Sequence, residues 1–370
     1  MKHKNDIFVA RPNLPDFKKY TEMMSRVWET GSLTNNGEYH KKLESALCNY
    51  LEHEYISIQA NGTLALWSAI NALDCTGEII TTPFSFIATA NAIKLNNCRP
   101  VFVDIKPSCY NIDPDQIERA ITEKTSAILP VHCYGHPADT DKIHKLADKY
   151  KLKVVFDAAH AFGVTDSNGS ILKHGDMSAV SFHATKVFST IEGGAVICKT
   201  EKQKIKLDQL KNFGIVNELN SELIGLNAKM SEMHAAFGLL QLETFSDCLD
   251  RRLSISRLYK KCLSSIKHIS FYDAKGVIRE NNSYFPIIIS EKSNLNRDEL
   301  YNSLKSYGIF SRRYFHPLIT EQDSYRDDGN FHKLHHAKKL SNKILCLPIY
   351  PDLADQDVIR ICTAISEVMK

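Results

Sequence analysis

The stretch MSAVSFHATKVFSTIEGGAVICK, residues 177–199, decides the fold. Both ends are short apolar runs typical of buried strands, and the polar middle finishes in two glycines. Lys186 therefore falls in a loop between two predicted strands. A lysine in such a loop is either a solvated surface residue or an amine held inside a pocket, and the surrounding sequence has to decide between the two.

Short apolar runs alternate with helical patterns from about residue 55 to residue 200. Strands that are apolar throughout and separated by helices predict a mostly parallel sheet covered by helices on both faces. Ligands of such α/β sheets bind at the carboxyl ends of the strands, so the loops that follow the strands are the places to look for a site. The predicted strands are residues 55–60, 77–83, 99–105, 125–132, 152–159, 178–182 and 193–198.

The character of the sequence changes after about residue 245, where a long helical pattern begins. Beyond it, short strands are mixed with helices, which predicts a smaller α+β domain over residues 250–370. Residues 1–249 are predicted to form the large domain together with an N-terminal segment. The first 30 residues are expected to pack back against the small domain or across a subunit partner.

The composition is that of a soluble globular protein, with 43% apolar and 24% charged residues among 370. A net charge of +3 without a long basic run argues against nucleic acid as the main partner. The ten cysteines are scattered without metal-ligand spacing, which favours reduced thiols and no metal site. No signal-like or membrane-spanning apolar run is evident, so the expected location is the cytoplasm, with no membrane partner.

Two loops carry features that suit a phosphorylated, planar ligand. Gly62 and Thr63 follow the first predicted strand and open a helix, where free N–H groups and a hydroxyl suit a phosphate. The alternative for this pair is a simple helix cap. Phe86 follows the second strand, where its ring could lie flat against a ligand or fill the core.

Three further polar residues follow or end later strands. Asp157 ends an apolar strand, where a carboxylate is costly unless it meets a positive charge. That charge could be a protonated heterocyclic nitrogen or a structural arginine. His160 could lean over the same ligand or fill the core. Ser181 ends the strand before Lys186 and could donate to a phosphate.

Lys186 completes the set, because a lysine in a pocket that lowers its pKa can form a Schiff base with an aldehyde. A phosphate cradle, a stacking ring, an acid for a ring nitrogen and an amine are together what pyridoxal 5′-phosphate (PLP) requires. The sequence therefore predicts a PLP site at the carboxyl ends of the strands.

The longer motifs resemble the DegT/DnrJ/EryC1/StrS sugar aminotransferases, which are fold-type I PLP enzymes with a mostly parallel seven-stranded sheet and a smaller C-terminal domain. The similarity extends from GSLTNNGEYHKKLE (31–44) to LCLPIYPDL (345–353), nearly the whole chain. The motifs that carry it are PFSFIATANA (83–92), FDAAHAFG (156–163), SFHATKVFSTIEGGA (181–195) and GLNAKMSEMHAAFGLLQLE (225–243).

The resemblance assigns a role to each residue singled out above. Lys186 falls on the Schiff-base lysine, Asp157 on the acid that pairs with the pyridine nitrogen, and Phe86 on the stacking residue. His160 falls near the phenolic oxygen of the cofactor, where many members have Gln. The residues that fall on phosphate ligands are Gly62, Thr63, Ser181 and Asn227, the last of which reaches the cofactor of a neighbouring subunit. The resemblance thus implies a homodimer with a shared active site.

The sequence departs from the family pattern at three positions. Ile191 replaces the Gly common before EGG, Lys229 replaces an Arg, and His234 replaces a Gln. None of these removes a group that the chemistry needs. A dehydratase branch of the fold has His in place of the lysine, so Lys186 favours transamination.

The resemblance is strongest to members that aminate C4 of dTDP-4-dehydro-6-deoxyglucose to give dTDP-4-amino-4,6-dideoxyglucose for bacterial O-antigens. The substrates implied are a dTDP-linked keto sugar and L-glutamate as amino donor. Candidate ligands for the diphosphate are Arg11, Arg312, Arg313 and His316, although an arginine pair in a loop can equally be just solvated.

Three alternatives remain open at the level of sequence. The first is an aminotransferase for a 3-keto sugar or for a different nucleotide. The second is a non-catalytic PLP-binding regulator, against which the intact Lys186 and Asp157 argue. The third is a plain nucleotide-binding α/β protein, which the missing G-x-G-x-x-G turn after the first strand disfavours.

Overall fold

The structure is a computed structural model that describes residues 6–326 and 334–370. The N-terminal segment contributes a short strand and two helices before the central sheet begins. Helix α1 begins after Asp16, whose carboxylate accepts a hydrogen bond from the N–H of Lys19. These elements are β1 (Ile7–Phe8), α1 (Phe17–Thr30) and α2 (Glu38–Leu51).

The central part alternates strands with helices, as the sequence predicts. Each predicted strand corresponds to an observed one, and the observed bounds differ from the predicted ones by at most four residues at either end. The elements are β2 (Ile56–Gln59), α3 (Gly62–Ala72), β3 (Glu78–Thr81), α4 (Ala88–Leu95), β4 (Arg99–Phe102), α5 (Pro114–Ala120), β5 (Thr125–Ile128), α6 (Thr140–Tyr150), β6 (Lys153–Asp157), β7 (Thr165–Asp166), β8 (Gly169–Ser170), β9 (Met177–Ser181), β10 (Gly194–Cys198), α7 (Glu201–Leu210), β11 (Ile215–Asn217) and β12 (Asn220–Ser221).

Seven of these strands form one sheet in the order β2-β10-β9-β6-β5-β3-β4. Strand β10 runs antiparallel to both of its neighbours, and the other adjacent pairs are parallel. The predicted fold class, a mostly parallel seven-stranded sheet, is therefore confirmed. All strands except β10 point the same way, so β2, β3, β6 and β9 end at the same edge.

Helices cover both faces of the sheet, because each strand places alternate apolar side chains on opposite sides. On one face Val155 packs in a core with residues of α3, α4 and α7. On the other face Val154 and Phe156 pack with residues of α5 and α6. The strand that ends in Asp157 is thus buried on both sides, which fixes where its carboxylate emerges.

The C-terminal part begins with two consecutive helices and continues as an α+β unit around a three-stranded antiparallel sheet, β13-β14-β16. The predicted long helix is present as the second of these helices, and the predicted mixture of short strands and helices follows it. Its elements are α8 (Glu232–Glu243), α9 (Phe245–Leu263), β13 (Ile269–Ser270), β14 (Phe285–Ile289), α10 (Arg297–Ser306), β15 (Ile309–Phe310), α11 (His335–Ser341), β16 (Ile344–Leu347) and α12 (Asp355–Val368).

The N-terminal segment packs back against this C-terminal part. Strand β1 pairs in parallel with β15, with Ile7 opposite Ile309. Farther along the segment, Asn13 exchanges hydrogen bonds with Gln241 of α8. The predicted boundary between residues 249 and 250 lies inside α9, and the division into domains at that point stays a prediction.

Across residues 6–326 and 334–370, no helix is both long and apolar enough to cross a bilayer. The ten cysteines are free thiols.

Candidate active site

Lys186 lies in the loop between β9 and β10, where its N–H donates to the carbonyl of His183 (2.8 Å). Its side chain keeps partial solvent access, yet protein atoms surround the amine closely. Burial lowers the pKa of Lys186 from 10.5 to about 8, and the nearby Asp157 carboxylate opposes part of that shift. The prediction of a pocket amine, and not a solvated surface lysine, agrees with this environment.

Asp157 ends β6 and is almost completely buried. Thr89 Oγ1 donates to one carboxylate oxygen (2.7 Å), and the N–H of Ala159 donates to the other (3.1 Å). Burial raises the pKa of Asp157, while these hydrogen bonds and the charge of Lys186 act in the opposite direction. In the part of the chain that the structure describes, no arginine forms a salt bridge with this carboxylate, so a structural arginine is not what balances its charge.

His160 lies three residues after Asp157 and is only 6% exposed. Its Nδ1 accepts a hydrogen bond from the N–H of Tyr134 (3.1 Å). Its ring lies parallel to that of Phe315 (5.8 Å between centroids) and edge-on to that of Tyr284 (4.9 Å). Burial, helped by the charge of Lys186, lowers the pKa of His160 well below 6.5, so the ring is neutral.

Three of the four predicted phosphate residues, Gly62, Thr63 and Ser181, lie where α3 begins. Asn61 caps this helix by accepting from the N–H of Leu64 (2.9 Å). A Cβ on Gly62 would lie 2.7 Å from Cβ of Ser181, and a Cβ on Gly194 would lie 2.7 Å from the carbonyl carbon of Asn61. The two glycines therefore let the helix N-terminus approach the ends of β9 and β10, with Thr63 in its first turn.

Two phenylalanines of the same motif have opposite environments. Phe84 is fully buried in a cluster with Tyr134 and Phe315, whereas Phe86 is 60% exposed just before α4. Phe84 is therefore a core residue, and the core alternative that was considered for Phe86 does not describe Phe86. Phe86 offers an exposed ring in the segment that leads from β3 to Thr89, the residue that holds Asp157.

These residues fit PLP on the chemistry of their groups. An arginine-free buried carboxylate suits a protonated ring nitrogen, and an amine with a pKa of about 8 suits bonding to an aldehyde. The close approach at Gly62 leaves a helix N-terminus at the end of β9, which suits a phosphate. The roles of the individual residues stay predictions.

Asn227 lies in an exposed segment after β12, next to Ala228, whose carbonyl accepts from the N–H of Ala60 just before α3 (2.7 Å). Its side-chain oxygen accepts from Nζ of Lys229 (2.8 Å), which also donates to Asn212 (2.9 Å). Lys229 thus orients Asn227, which is how this departure from the family's Arg is accommodated. The exposed apolar side chains around it are Phe213, Ile215, Leu219, Ile224 and Leu226.

The four candidate cations for a diphosphate are spread over the C-terminal part and the N-terminal segment. Arg11 is exposed beside the ring of Tyr350 (5.6 Å), and Arg312 is also exposed. Arg313 forms a salt bridge with Asp298 (2.7 Å) and stacks on Tyr301 (4.4 Å).

His316, the fourth, approaches Ser341 Oγ through Nδ1 (3.2 Å). Burial, together with the charge of Arg297, lowers its pKa below 6.5.

The other two departures have clear structural settings. Ile191 has φ of +71°, a left-handed conformation that is an outlier for a β-branched residue and is natural for the glycine it replaces. His234 lies in the first turn of α8, where its N–H and Nδ1 both contact the hydroxyl of the N-cap residue Ser231.

Sequence reasoning missed the residues that support the site from behind. Thr89 holds Asp157, and Ser85 contacts Thr89 (2.7 Å between hydroxyl oxygens). Tyr134 and Asn281 hold His160 through its ring and its backbone carbonyl. The only signal in the sequence for the first pair is that Ser85 and Thr89 lie inside PFSFIATANA, four residues apart.

Comparisons with known proteins indicate the same kind of enzyme as the geometry of the site. The model of the DegT/DnrJ/EryC1/StrS aminotransferase family matches residues 16–366. The chain is 49% identical over 362 residues to the dTDP-4-amino-4,6-dideoxy-D-glucose transaminase of Shigella dysenteriae, covering 98% of this chain and 99% of that protein. It is 44% identical to the transaminase of the same name from Escherichia coli, covering 95% and 96%.

A solved structure of DesI in the presence of its TDP-sugar product superimposes with a TM-score of 0.94. The two chains are 32% identical, and the match covers 99% of this chain and 93% of that one.

Proposed function

This chain belongs to the DegT/DnrJ/EryC1/StrS aminotransferase family, and from that membership we propose that it transfers an amino group from L-glutamate to C4 of dTDP-4-dehydro-6-deoxyglucose. The products are 2-oxoglutarate and dTDP-4-amino-4,6-dideoxyglucose. The single observation that carries the choice of sugar is the near-full-length similarity to a transaminase named for that product. Glutamate as donor, a cytoplasmic location and a role in O-antigen synthesis rest on the family resemblance.

The chain is a PLP-dependent enzyme. PLP supplies an aldehyde that bonds to amines and a pyridine ring that draws electrons away from the reacting carbon. We assign its phosphate to Gly62, Thr63 and Ser181, one face of its ring to Phe86, and its ring oxygen to His160. Supporting this assignment are the close approach at Gly62 and the exposed ring of Phe86.

Asp157 keeps the pyridine nitrogen protonated. A carboxylate in a low-dielectric site favours a neighbouring positive charge much more strongly than one in water. Thr89 and the N–H of Ala159 each bond to one carboxylate oxygen, which keeps the carboxylate oriented. Asp157 would therefore preserve the electron-accepting character of a pyridine ring bound here.

Lys186 would hold the cofactor through Nζ and would also serve as the acid and base. Its amine would carry the proton that leaves the α-carbon of the amino donor. A pKa of about 8 places this amine near the pH at which it works, because both of its protonation states are then populated. Catalysis of this kind contributes about 10²–10⁴-fold in rate.

We propose that the active unit is a homodimer in which Asn227 reaches the phosphate site of the partner subunit. The five exposed apolar side chains of the 213–226 segment support this proposal, since solvent-exposed apolar patches mark interaction surfaces. We further propose that Arg11, Arg312, Arg313 and His316 face the diphosphate of the nucleotide. The exposure of Arg11 and Arg312 supports this for these two.

The test is an assay of the purified protein with PLP, L-glutamate and dTDP-4-dehydro-6-deoxyglucose. The expected result is formation of 2-oxoglutarate, with NMR placing the new nitrogen on C4 of the sugar. Nitrogen on C3, or turnover only with another nucleotide sugar, would support the first alternative. A protein that turns yellow with PLP but whose spectrum is unchanged by glutamate would instead support a regulatory role.

A further inference from the structure

Lys211, directly after α7, is only 1% exposed, although it takes no part in the proposed chemistry. Its Nζ forms a salt bridge with Asp208 (2.7 Å) and donates to Ser57 Oγ of β2 (3.4 Å). Ser57 Oγ itself donates to Asp208 (2.7 Å). The buried amine therefore connects the end of α7 with strand β2, which leads to the start of α3.

The backbone of Lys211 makes a second connection, to the segment that carries Asn227. Its carbonyl accepts a hydrogen bond from the N–H of Ala228 (2.9 Å). The carbonyl of Ala228 accepts in turn from the N–H of Ala60 (2.7 Å), the residue before the N-cap of α3. Ala228 therefore joins Lys211 to the start of α3, one residue away from Asn227.

The side chain of Asn227 is attached to the same part of the chain. Lys229 Nζ donates to the side-chain oxygens of Asn227 (2.8 Å) and of Asn212 (2.9 Å), the residue after Lys211. Asn212 and Asn227 also form an antiparallel bridge. Because the oxygen of the Asn227 amide accepts from Lys229, its NH₂ group is the end that can donate to an anion.

The cost of burying Lys211 points to a geometric role. A buried ion pair adds little net stability compared with apolar side chains of similar volume, whereas its hydrogen bonds fix distances and directions. Burial raises the pKa of Asp208, but the charges of Lys211 and Lys204 outweigh this effect and hold that pKa below 3.8. Asp208 is therefore ionised at neutral pH and holds the amine of Lys211 in place.

We propose that Lys211 is a positioning residue that holds the start of α3 and the Asn227 segment (residues 226–229) as one unit. This link concerns the chain alone. The ligand of the unit rests on the proposed function, in which the start of α3 binds the phosphate of PLP and Asn227 reaches the phosphate in the partner subunit. Lys211 thus supports the phosphate sites of both subunits without touching either cofactor.

Hydrogen exchange of the cofactor-free protein tests the link without PLP. Lys211→Met removes the amine but leaves Asp208 paired with Lys204, so α7 should stay folded. Exchange should become at least about tenfold faster in peptides that contain Ala60 and Ala228, and it should stay unchanged in the rest of the central sheet. Lys211→Arg keeps a cation with N–H donors and should restore slow exchange. No acceleration in these two peptides, or equal acceleration throughout the chain, would overturn the proposal.

The matched control is Lys206→Met, which removes another ion pair from the same helix. Lys206 pairs with Asp74 (2.7 Å), beyond the opposite end of α3 from Gly62, and its loss should leave both peptides unchanged. A milder variant is Ser57→Ala, which removes the hydroxyl between Lys211 and β2 without removing a charge. It should accelerate exchange in the same direction by a smaller factor. If Lys206→Met acts as strongly as Lys211→Met, Lys211 has no specific role.

PLP and pyridoxal separate a phosphate role from a general defect, because both carry the aldehyde and only PLP carries a phosphate. Lys211→Met should raise the Kd for PLP about tenfold, as expected for a weakened charged hydrogen bond, and leave that for pyridoxal within about twofold of wild type. Equal losses for both aldehydes would overturn the phosphate role. A wild-type protein that binds neither aldehyde contradicts the proposed function and leaves the exchange result standing.

Discussion

Polar residues at the end of the central sheet and those in residues 312–316, the basic segment, have opposite environments. Asp157, His160 and Lys186 are packed together, and burial displaces the pKa of each. In the basic segment, Arg313 is half-exposed and already paired with Asp298, and Arg312 is exposed. The first region is arranged for chemistry, whereas the second resembles an ordinary polar surface.

The two regions differ in what their polar residues cost the fold. Keeping ionisable groups buried costs free energy, so a fold that does so signals a task for them. An exposed arginine costs the fold little, and its presence therefore indicates nothing specific. The end of the central sheet is recognisable as a candidate site because its ionisable groups are buried. The basic segment has no such mark, and variants of its individual cations test whether it binds the nucleotide.

Substitution of Lys186 is the strongest test of the contrast between the two regions. Lys186→Ala should lower kcat by at least 10²–10⁴-fold, because it removes both the covalent anchor and the proton carrier. Borohydride reduction of the PLP-loaded protein followed by peptide mapping should then give no label at position 186. The matched control is Lys199→Ala, an exposed lysine after β10 that should behave like wild type. Wild-type turnover in Lys186→Ala would remove the distinction between the two regions.

The pKa of Lys186 gives the same site a pH signature. Only the neutral amine attacks an aldehyde, so the rate at which cofactor-free protein captures PLP should rise with pH and level off above about 8. An ordinary lysine would show no plateau until near its usual pKa of about 10.4. Stopped-flow absorbance measures this rate. A continuing rise to pH 10 would mean that the pocket does not lower this pKa.

Asp157→Asn should have the next largest effect, because it should lower turnover and raise the stability of the cofactor-free protein. Turnover should fall about 10–100-fold, corresponding to the loss of a charged hydrogen bond of about 1.5–3 kcal/mol to the ring nitrogen. The melting temperature of the cofactor-free protein should rise, because a folded-state pKa raised above 3.8 means that the ionised carboxylate destabilises the fold at neutral pH. The pH at which the rate of PLP capture is half-maximal should fall below about 8, since Asp157 raises the pKa of Lys186.

The control for Asp157→Asn is Asp176→Asn. Asp176 accepts from the N–H of Val154 at the opposite end of β6 and should leave turnover unchanged. A lower melting temperature in Asp157→Asn would mean that the carboxylate stabilises the fold, and the contrast with the basic segment would lose its energetic basis.

In the basic segment, Arg312→Ala and Arg313→Ala separate an uncommitted cation from a committed one. Arg312→Ala should raise the KM for the nucleotide sugar about tenfold, as expected for one charged hydrogen bond to a phosphate. Arg313→Ala should change it less, because its guanidinium is held by Asp298 and Tyr301. Neither should change kcat with saturating sugar. The reverse order in steady-state kinetics would show that the Asp298 pair opens when substrate binds.

The smallest expected effect concerns Ile191, close in sequence to Lys186. A left-handed conformation costs a residue with a Cβ about 1–2 kcal/mol, and glycine loses about 0.5–1 kcal/mol through unfolded-state entropy. Ile191→Gly should therefore leave the free energy of unfolding unchanged or raise it by up to about 1.5 kcal/mol. Ile359→Gly, in the exposed face of α12, should instead lose about 1 kcal/mol. If denaturant titration shows equal losses, contacts of the Ile191 side chain outweigh its backbone strain.

Features that depend on residues close together in the sequence were predictable, whereas features that depend on distant residues were not. The seven strands were predictable because each is a continuous apolar run. The sequence does not separate the environments of Phe84 and Phe86, which have the same chemistry two residues apart, yet Phe84 lies in the core and Phe86 is exposed. The stacking role of Phe86 stays a prediction. Thr89 was missed because its partner Asp157 lies 68 residues farther along the chain.

The sequence by itself determined the parallel sheet, the position of Asp157 at the end of a strand, the position of Lys186 in the loop after a strand, and the family. These properties depend on periodicity and on short motifs, which are local along the chain. Tertiary structure alone decided that Asp157 has no arginine partner within residues 6–326 and 334–370, that Arg313 is paired with Asp298, and that Tyr134 holds Nδ1 of His160. Those outcomes depend on which distant side chains packing brings within hydrogen-bonding distance and on how much water it excludes, and neither quantity is encoded in local order.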